Sequence, residues 1–209
     1  MTKLLIFDFD GVLADSLAPM LKFAKQVCIE MGVSTTPTRN DLEILDRMEF
    51  SEFGLQLGIP EDQIDHFVAR NHQLFSEMEE PAQLVPGMGS VLSTLATDNY
   101  LAIITGNSCN QVEKFLETHQ LRGYFKHMYC AEHKGTRLDK IRKVTQLANM
   151  KTSDTYMIGD AVSDIRAAKA AGVNSIAVTW GHQSKEKLNQ ENPDKIVERP
   201  VDLLEFLSA

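Results

Sequence analysis

Hydrophobic and polar positions follow two different rhythms along this chain. Leu4 to Phe7 form an unbroken apolar run ahead of Asp8, so residues 3–8 read as a short strand buried on both faces. From Ser16 to Glu80 the spacing becomes helical. Leu17, Met20, Leu21, Ala24, Val27, Cys28 and Met31 recur on one face, and Gly32 ends that helix. Further helices are predicted over about 38–48, 49–57 and Glu61 to Met78, the last opened by Pro60 and acidic first-turn residues. Beyond Leu84 the first rhythm returns. Predicted strands at Tyr100–Ile104, within Tyr124–Cys130, at Thr155–Ile158, Ser175–Thr179 and Ile196–Val197 alternate with helices over 88–97, 109–119, 136–148, Ala161–Ala171, 183–191 and 201–207.

Strand alternating with helix predicts an α/β fold, a Rossmann-like parallel sheet with helices on both faces. The purely helical stretch inserted after the first strand predicts a separate cap. The expected division is a core of residues 1–15 and 82–209 and a helical-bundle cap of 16–81, with flexible joints near 12–16 and 80–86. The length of 209 residues suits one large domain with an inserted module.

Charge narrows the partners. With 21 basic against 29 acidic residues the chain carries a net charge of -8, which argues against nucleic acid or an anionic membrane as the main partner. An anionic substrate therefore needs local cations. Cys28, Cys109 and Cys130 are an odd, unpatterned set, read as reduced thiols of the cytosol rather than a disulfide frame or a zinc site. The first apolar run is too short for a signal peptide and no stretch approaches a membrane span, so a cytoplasmic protein is expected, monomeric or homodimeric.

The candidate chemistry sits at strand ends. Asp8 and Asp10, two positions apart and followed by Gly11, project together at the carboxyl edge of the first strand, where open α/β sheets bind ligands. Two carboxylates so close repel, and a divalent cation is the simplest relief. Thr105-Gly106-Asn107 ends the second strand ahead of a helix and offers a hydroxyl and free N–H groups to an anion. Lys134 stands before another helix, where an ammonium can hold a phosphoryl group; Lys140, placed mid-helix, is the competing choice. Asp160 ends a further strand, and Asp164 lies four residues on, on the same side of the next helix. Such oxygen-only ligands suit Mg²⁺. Each of these features alone reads as well as an acidic turn, a surface lysine or an N-cap; their common placement carries the argument.

In this order, Asp8-Phe-Asp10-Gly-Val-Leu-Ala-Asp15-Ser, Thr105, Lys134 and Gly159-Asp160-x-x-x-Asp164 resemble the haloacid dehalogenase superfamily, and the helical insertion resembles its helical-cap branch. Pro86-Gly87 and Val178-Thr-Trp-Gly181 resemble its phosphoglycolate phosphatase group. Gly135 replaces the proline usual after the lysine, and 38–58 lacks the Gly-rich signature of that group; both bear on the substrate rather than the chemistry. The resemblance implies a Mg²⁺-dependent phosphatase of a small phosphorylated metabolite. Asp8 would be the nucleophile and Asp10 the general acid and base. The metal would be held by Asp8, the Asp10 carbonyl, Asp160 and Asp164, and the phosphoryl oxygens by Gly11, Thr105, Gly106, Asn107 and Lys134. A phosphomutase on the same core stays open, and a receiver-type signalling module is the remote alternative. Lys22, Lys25, Arg39, Arg47, His66 and Arg70 are the cap cations available for substrate choice.

Overall fold

The protein is described from a computed structural model covering residues 2–207. Six strands form one parallel sheet: β1 (Leu4–Phe7), β4 (Tyr100–Ile104), β5 (Phe125–Tyr129), β6 (Thr155–Gly159), β7 (Asn174–Val178) and β8 (Lys195–Val197), in the spatial order β5-β4-β1-β6-β7-β8. The first strand is therefore central. Strand order reverses around it, and that switch point is where ligands of such sheets sit.

Alternation along β1 explains both layers. Leu5 and Phe7 pack with α5 (Met88–Leu95), α6 (Cys109–Thr118) and α10 (Asp202–Leu207) on one face. Leu4 and Ile6 pack with Ile141 and Val144 of α7 (Arg137–Leu147) and Ala168 of α8 (Val162–Ala171) on the other. All four strand residues are fully buried, as the apolar run requires. The outer helix α9 (Lys185–Gln190) buries Leu188 against Ile165 and Ala177.

The helical insertion comprises α1 (Leu17–Glu30), α2 (Arg39–Glu43), α3 (Phe50–Gln56) and α4 (Ile64–Ser76), the last preceded by a 3₁₀ turn at Glu61–Gln63. It has its own apolar centre of Phe23, Val27, Leu42, Phe53, Leu57 and Phe67, distinct from the clusters on the sheet. α2 is shorter than the predicted 38–48: the Thr38 and Asp41 capping box starts it, and the helix stops at Glu43. Where the chain enters and leaves the insertion, β2 (Ala14–Asp15) and β3 (Gln83–Leu84) pair antiparallel, and the Val85 N–H donates to the Leu13 carbonyl at 2.9 Å. Two residues per strand are too few to leave a periodic signal, so the sequence shows only joints there.

Among the described residues no helix is long and apolar enough to cross a membrane.

Candidate active site

Register places the acids. Phe7 lies opposite Ile103 of β4 and Ile158 of β6, so Asp8, Thr105 and Asp160 all follow directly from the carboxyl ends of three adjacent strands. The Asp8 N–H donates to the Ile158 carbonyl at 2.9 Å, one further rung of the ladder, and Asp8 Oδ1 accepts the Phe9 N–H at 2.8 Å. The chain then turns tightly, with the Leu13 and Ala14 N–H groups both bonded to the Phe9 carbonyl. Gly11 makes the turn possible. Its φ is +74°, and a Cβ there would stand 2.0 Å from Asp160 Oδ2.

Asp8, Asp160 and Asp164 are all buried, and each offers a carboxylate oxygen within 4.8 Å of the others. Glycine backbone closes in around them: a Cβ on Gly159 would lie 2.2 Å from Asp164 Oδ2, and one on Gly181 2.3 Å from Asp160 Oδ2. Three hard oxygen donors in a space lined by backbone fit a hard divalent cation. Arg137, at the first position of α7, partly offsets their charge. Its Nη1 lies 3.2 Å from Asp8 Oδ2 and also pairs with Asp164. Burial works against this guanidinium, but Asp164 and Asp8 outweigh it and keep it protonated.

The acids hold their protons unusually well. Burial raises Asp8 to about 6 despite the opposing pull of Arg137, and burial lifts Asp164 to about 8. Burial also raises Asp10, against the lowering effects of His182, Ser16 and Asn107. Such folded-state values mean that ionised carboxylates cost stability above them, a cost that lessens as pH falls toward the unfolded values near 4. The metal-free protein is therefore expected to unfold on the order of 5 °C higher at pH 6 than at pH 8, from a difference of about 2 kcal/mol. Magnesium should remove much of this dependence. Thermal unfolding with and without a chelator across that range checks both statements.

The Thr105 loop faces the same tip. Asn107 donates from Nδ2 to Asp10 Oδ2 at 3.1 Å, and its N–H reaches Thr105 Oγ1 at 3.0 Å. Thr105 is buried, and the space where a Gly106 side chain would stand is open. Of the two candidate lysines, Lys140 lies differently from the sequence reading. Lys134 is exposed and makes no side-chain hydrogen bond or ion pair among the described residues. Lys140 is buried rather than at the surface, and its ammonium donates to the Cys130 carbonyl at 2.8 Å. The cation brought to Asp8 is Arg137, because the capping box of Thr136 and Asp139 fixes the start of α7 and sets its first residue beside Asp8. The capping box is legible in the sequence; the reach of the arginine beside it is not.

Two further residues escaped the sequence reading. His182 is buried; its N–H and Nδ1 both lie 2.7 Å from Asp160 Oδ2, and Nε2 is 3.4 Å from Ser16 Oγ. Burial opposes its charge, yet Asp160, Asp10 and Asp8 together raise it. Gln183 bridges the two halves. Its Oε1 accepts the Val162 N–H of α8 at 2.8 Å, and its Nε2 donates to the Leu45 carbonyl at 2.9 Å and the Leu42 carbonyl at 3.3 Å. Beside it Arg39 donates to the carbonyls of Gly181 and His182, and Ser184 donates twice to Glu43. Arg39 is thus occupied, as are Arg47 with Glu52 and Arg70 with Glu30, which leaves Lys22, Lys25 and His66 of the six cap cations with neither an ion pair nor a side-chain hydrogen bond among the described residues. Gln183→Leu is expected to cost about 1–3 kcal/mol, because it strands the buried Val162 N–H; thermal unfolding measures it.

The sheet, its switch point and the acid cluster define an α/β protein with a carboxylate site suited to a divalent cation. The chain belongs to the haloacid dehalogenase-like hydrolase family, whose profile matches residues 5–178. It is similar over nearly its whole length to curated phosphatases. Phosphoglycolate phosphatase of Synechococcus elongatus is 29% identical over 209 residues, covering 98% of this chain and 96% of the relative. Phosphoglycolate phosphatase of Vibrio parahaemolyticus is 26% identical, over 99% of this chain and 96% of the relative. In fold the chain is similar to a predicted phosphatase from Clostridium acetobutylicum, with a TM-score of 0.86 at 23% identity over 100% and 99% of the two chains.

Proposed function

We propose that this protein is a magnesium-dependent phosphatase that hydrolyses a small phosphorylated metabolite of the phosphoglycolate kind through an aspartyl-phosphate on Asp8. The observation that carries the reading is the convergence of Asp8, Asp160, Asp164 and the Arg137 guanidinium at one strand tip. In this reading the core of residues 1–15 and 82–209 holds the chemistry, and the helical cap of 16–81 covers it.

The Asp8 carboxylate attacks phosphorus, and Arg137 holds a phosphoryl oxygen while keeping Asp8 ionised. Thr105, with the N–H groups of Gly106 and Asn107, receives the other oxygens. Asp10, whose carboxyl keeps its proton more readily than usual, gives that proton to the departing alkoxide. It then takes one from the water that releases phosphate from Asp8. Asn107 orients Asp10 for both steps. A hard divalent cation held by Asp8, Asp160, Asp164 and the Asp10 carbonyl supplies charge screening and polarisation of the phosphoryl group when bound. His182 fixes the Asp160 carboxylate that serves it. Lys134, exposed and three residues before Arg137, is left with at most a long-range role.

A carboxylate-bearing substrate suits a cap that carries Lys22, Lys25 and His66 without ionic partners among the described residues. The test is a phosphate-release screen over small phosphorylated metabolites and p-nitrophenyl phosphate, with and without magnesium. Release from phosphoglycolate that a chelator abolishes is expected. Isomerisation of a sugar phosphate without net phosphate release would replace this reading with a mutase.

A further inference from the structure

The sequence spaces its cysteines with no metal pattern, yet the fold brings two of them together with a histidine. Cys109 opens α6, and Cys130 follows the last residue of β5, the neighbouring strand. The two segments are tied by the Thr105 N–H to the Tyr129 carbonyl and the Ala131 N–H to the Asn107 carbonyl, both at 2.9 Å. His133 lies three residues beyond Cys130. The two sulfurs and a ring nitrogen of His133 fall within 4.8 Å of one another, and Cys109 Sγ is 3.8 Å from His133 Nδ1.

We propose that Cys109, Cys130 and His133 form a second cation site, separate from the carboxylates, that takes a thiophilic divalent ion of the zinc class. The spacing is close to what such an ion needs. Bonds of about 2.3 Å to sulfur and 2.0–2.1 Å to nitrogen at a tetrahedral angle set the two ligand atoms about 3.6 Å apart. The donor set is soft where the carboxylate set is hard, so the two sites select different ions. Graded burial suits a binding site with an entry side: Cys130 is buried, Cys109 half-buried and His133 exposed. The fourth position falls to water or to the Glu132 carboxylate, which already accepts the Cys109 N–H at 3.1 Å.

Binding exchanges the 3.1 Å hydrogen bond from the Cys130 N–H to Nδ1 for a metal bond and releases both thiol protons to solvent. A disulfide between the two cysteines is the poorer reading. It would leave the histidine beside both sulfurs with no part to play. Position gives the site consequence. Cys109 stands two residues after Asn107, which bonds Asp10, and the Cys130 carbonyl holds Lys140, so an ion here pins two loops beside the phosphate-binding turn.

The site is independent of the phosphatase reading, and its test is spectroscopic. The reduced full-length protein, saturated with magnesium, is titrated with cobalt(II). A thiolate-to-cobalt charge-transfer band is expected, saturating at one equivalent and bleached by one equivalent of zinc. Carboxylate ligands give no such band, so cobalt at the aspartates is not mistaken for it. Cys109→Ser and the exposed His133→Ala should each weaken binding at least about tenfold, while Cys28→Ala should leave it unchanged. No charge-transfer band, or an undiminished affinity in either Cys109→Ser or His133→Ala, overturns the proposal.

Discussion

Replacing Asp8 with Asn is expected to lower phosphate release by at least about a thousandfold while the protein stays folded. The amide keeps the shape of the carboxylate and can still accept the Phe9 N–H, but it cannot attack phosphorus. Burial already holds Asp8 at about 6, so removing that charge relieves a desolvation cost instead of adding one. The thermal midpoint of Asp8→Asn should therefore match or exceed that of the parent protein in the absence of metal. Loss of turnover with a retained midpoint separates a chemical role from a structural one. Unchanged turnover would remove Asp8 from the chemistry.

Arg137→Met is expected to reduce kcat/KM by about a hundred- to a thousandfold, the range for losing one preorganised charge from a transition state. Lys134→Ala should change it by less than about twofold, since its ammonium is exposed and unpaired among the described residues. The pH profile gives a second reading. Arg137 lowers the Asp8 pKa from where burial alone would put it, so its loss moves that pKa upward. Attack needs the ionised form, and the acidic limb of the rate profile should shift to higher pH in Arg137→Met and less in Arg137→Lys. If Lys134→Ala instead lost activity and Arg137→Met did not, the assignment would return to the lysine.

The contrast between these two residues marks what a sequence can and cannot say. The parallel sheet was legible because its four inner strands are largely buried on both faces, and β1 and β4 are nearly continuous apolar runs. Asp8 and Asp160 could be placed together because each directly follows a strand end and parallel register does the rest, and Asp164 because it lies four residues on, in the first turn of α8. The cation could not. Which of Lys134, Arg137 and Lys140 reaches Asp8 depends on where α7 begins and which way its first turn faces, and a shift of one residue turns the helix by about 100°. His182 and Gln183 were invisible for a different reason. They act through contacts more than 130 residues away in the chain, with Ser16, Leu42 and Leu45, and no local pattern reports such pairs. The cysteine and histidine cluster belongs to the same class, since Cys109 meets its partners only because β4 and β5 are neighbours.

The helical insertion meets the segment after β7 through polar groups. Gln183, Ser184 and Arg39 join α2 to the segment after β7 through side chain to backbone bonds and one carboxylate, not through a shared apolar core. Its apolar residues form their own cluster. An interface of that kind can open without exposing a large hydrophobic surface, as the proposed cap would have to.

The central claim is that a phosphoryl group passes through the side chain of Asp8. Quenching the protein during steady turnover with a phosphomonoester, followed by borohydride reduction and peptide mapping, tests it directly, because borohydride converts an acyl phosphate to the alcohol. Homoserine at position 8, absent without substrate and absent in Asp8→Asn, is the expected result. Aspartate recovered unchanged at position 8 from a fully active preparation that turns over under the same quench would contradict it.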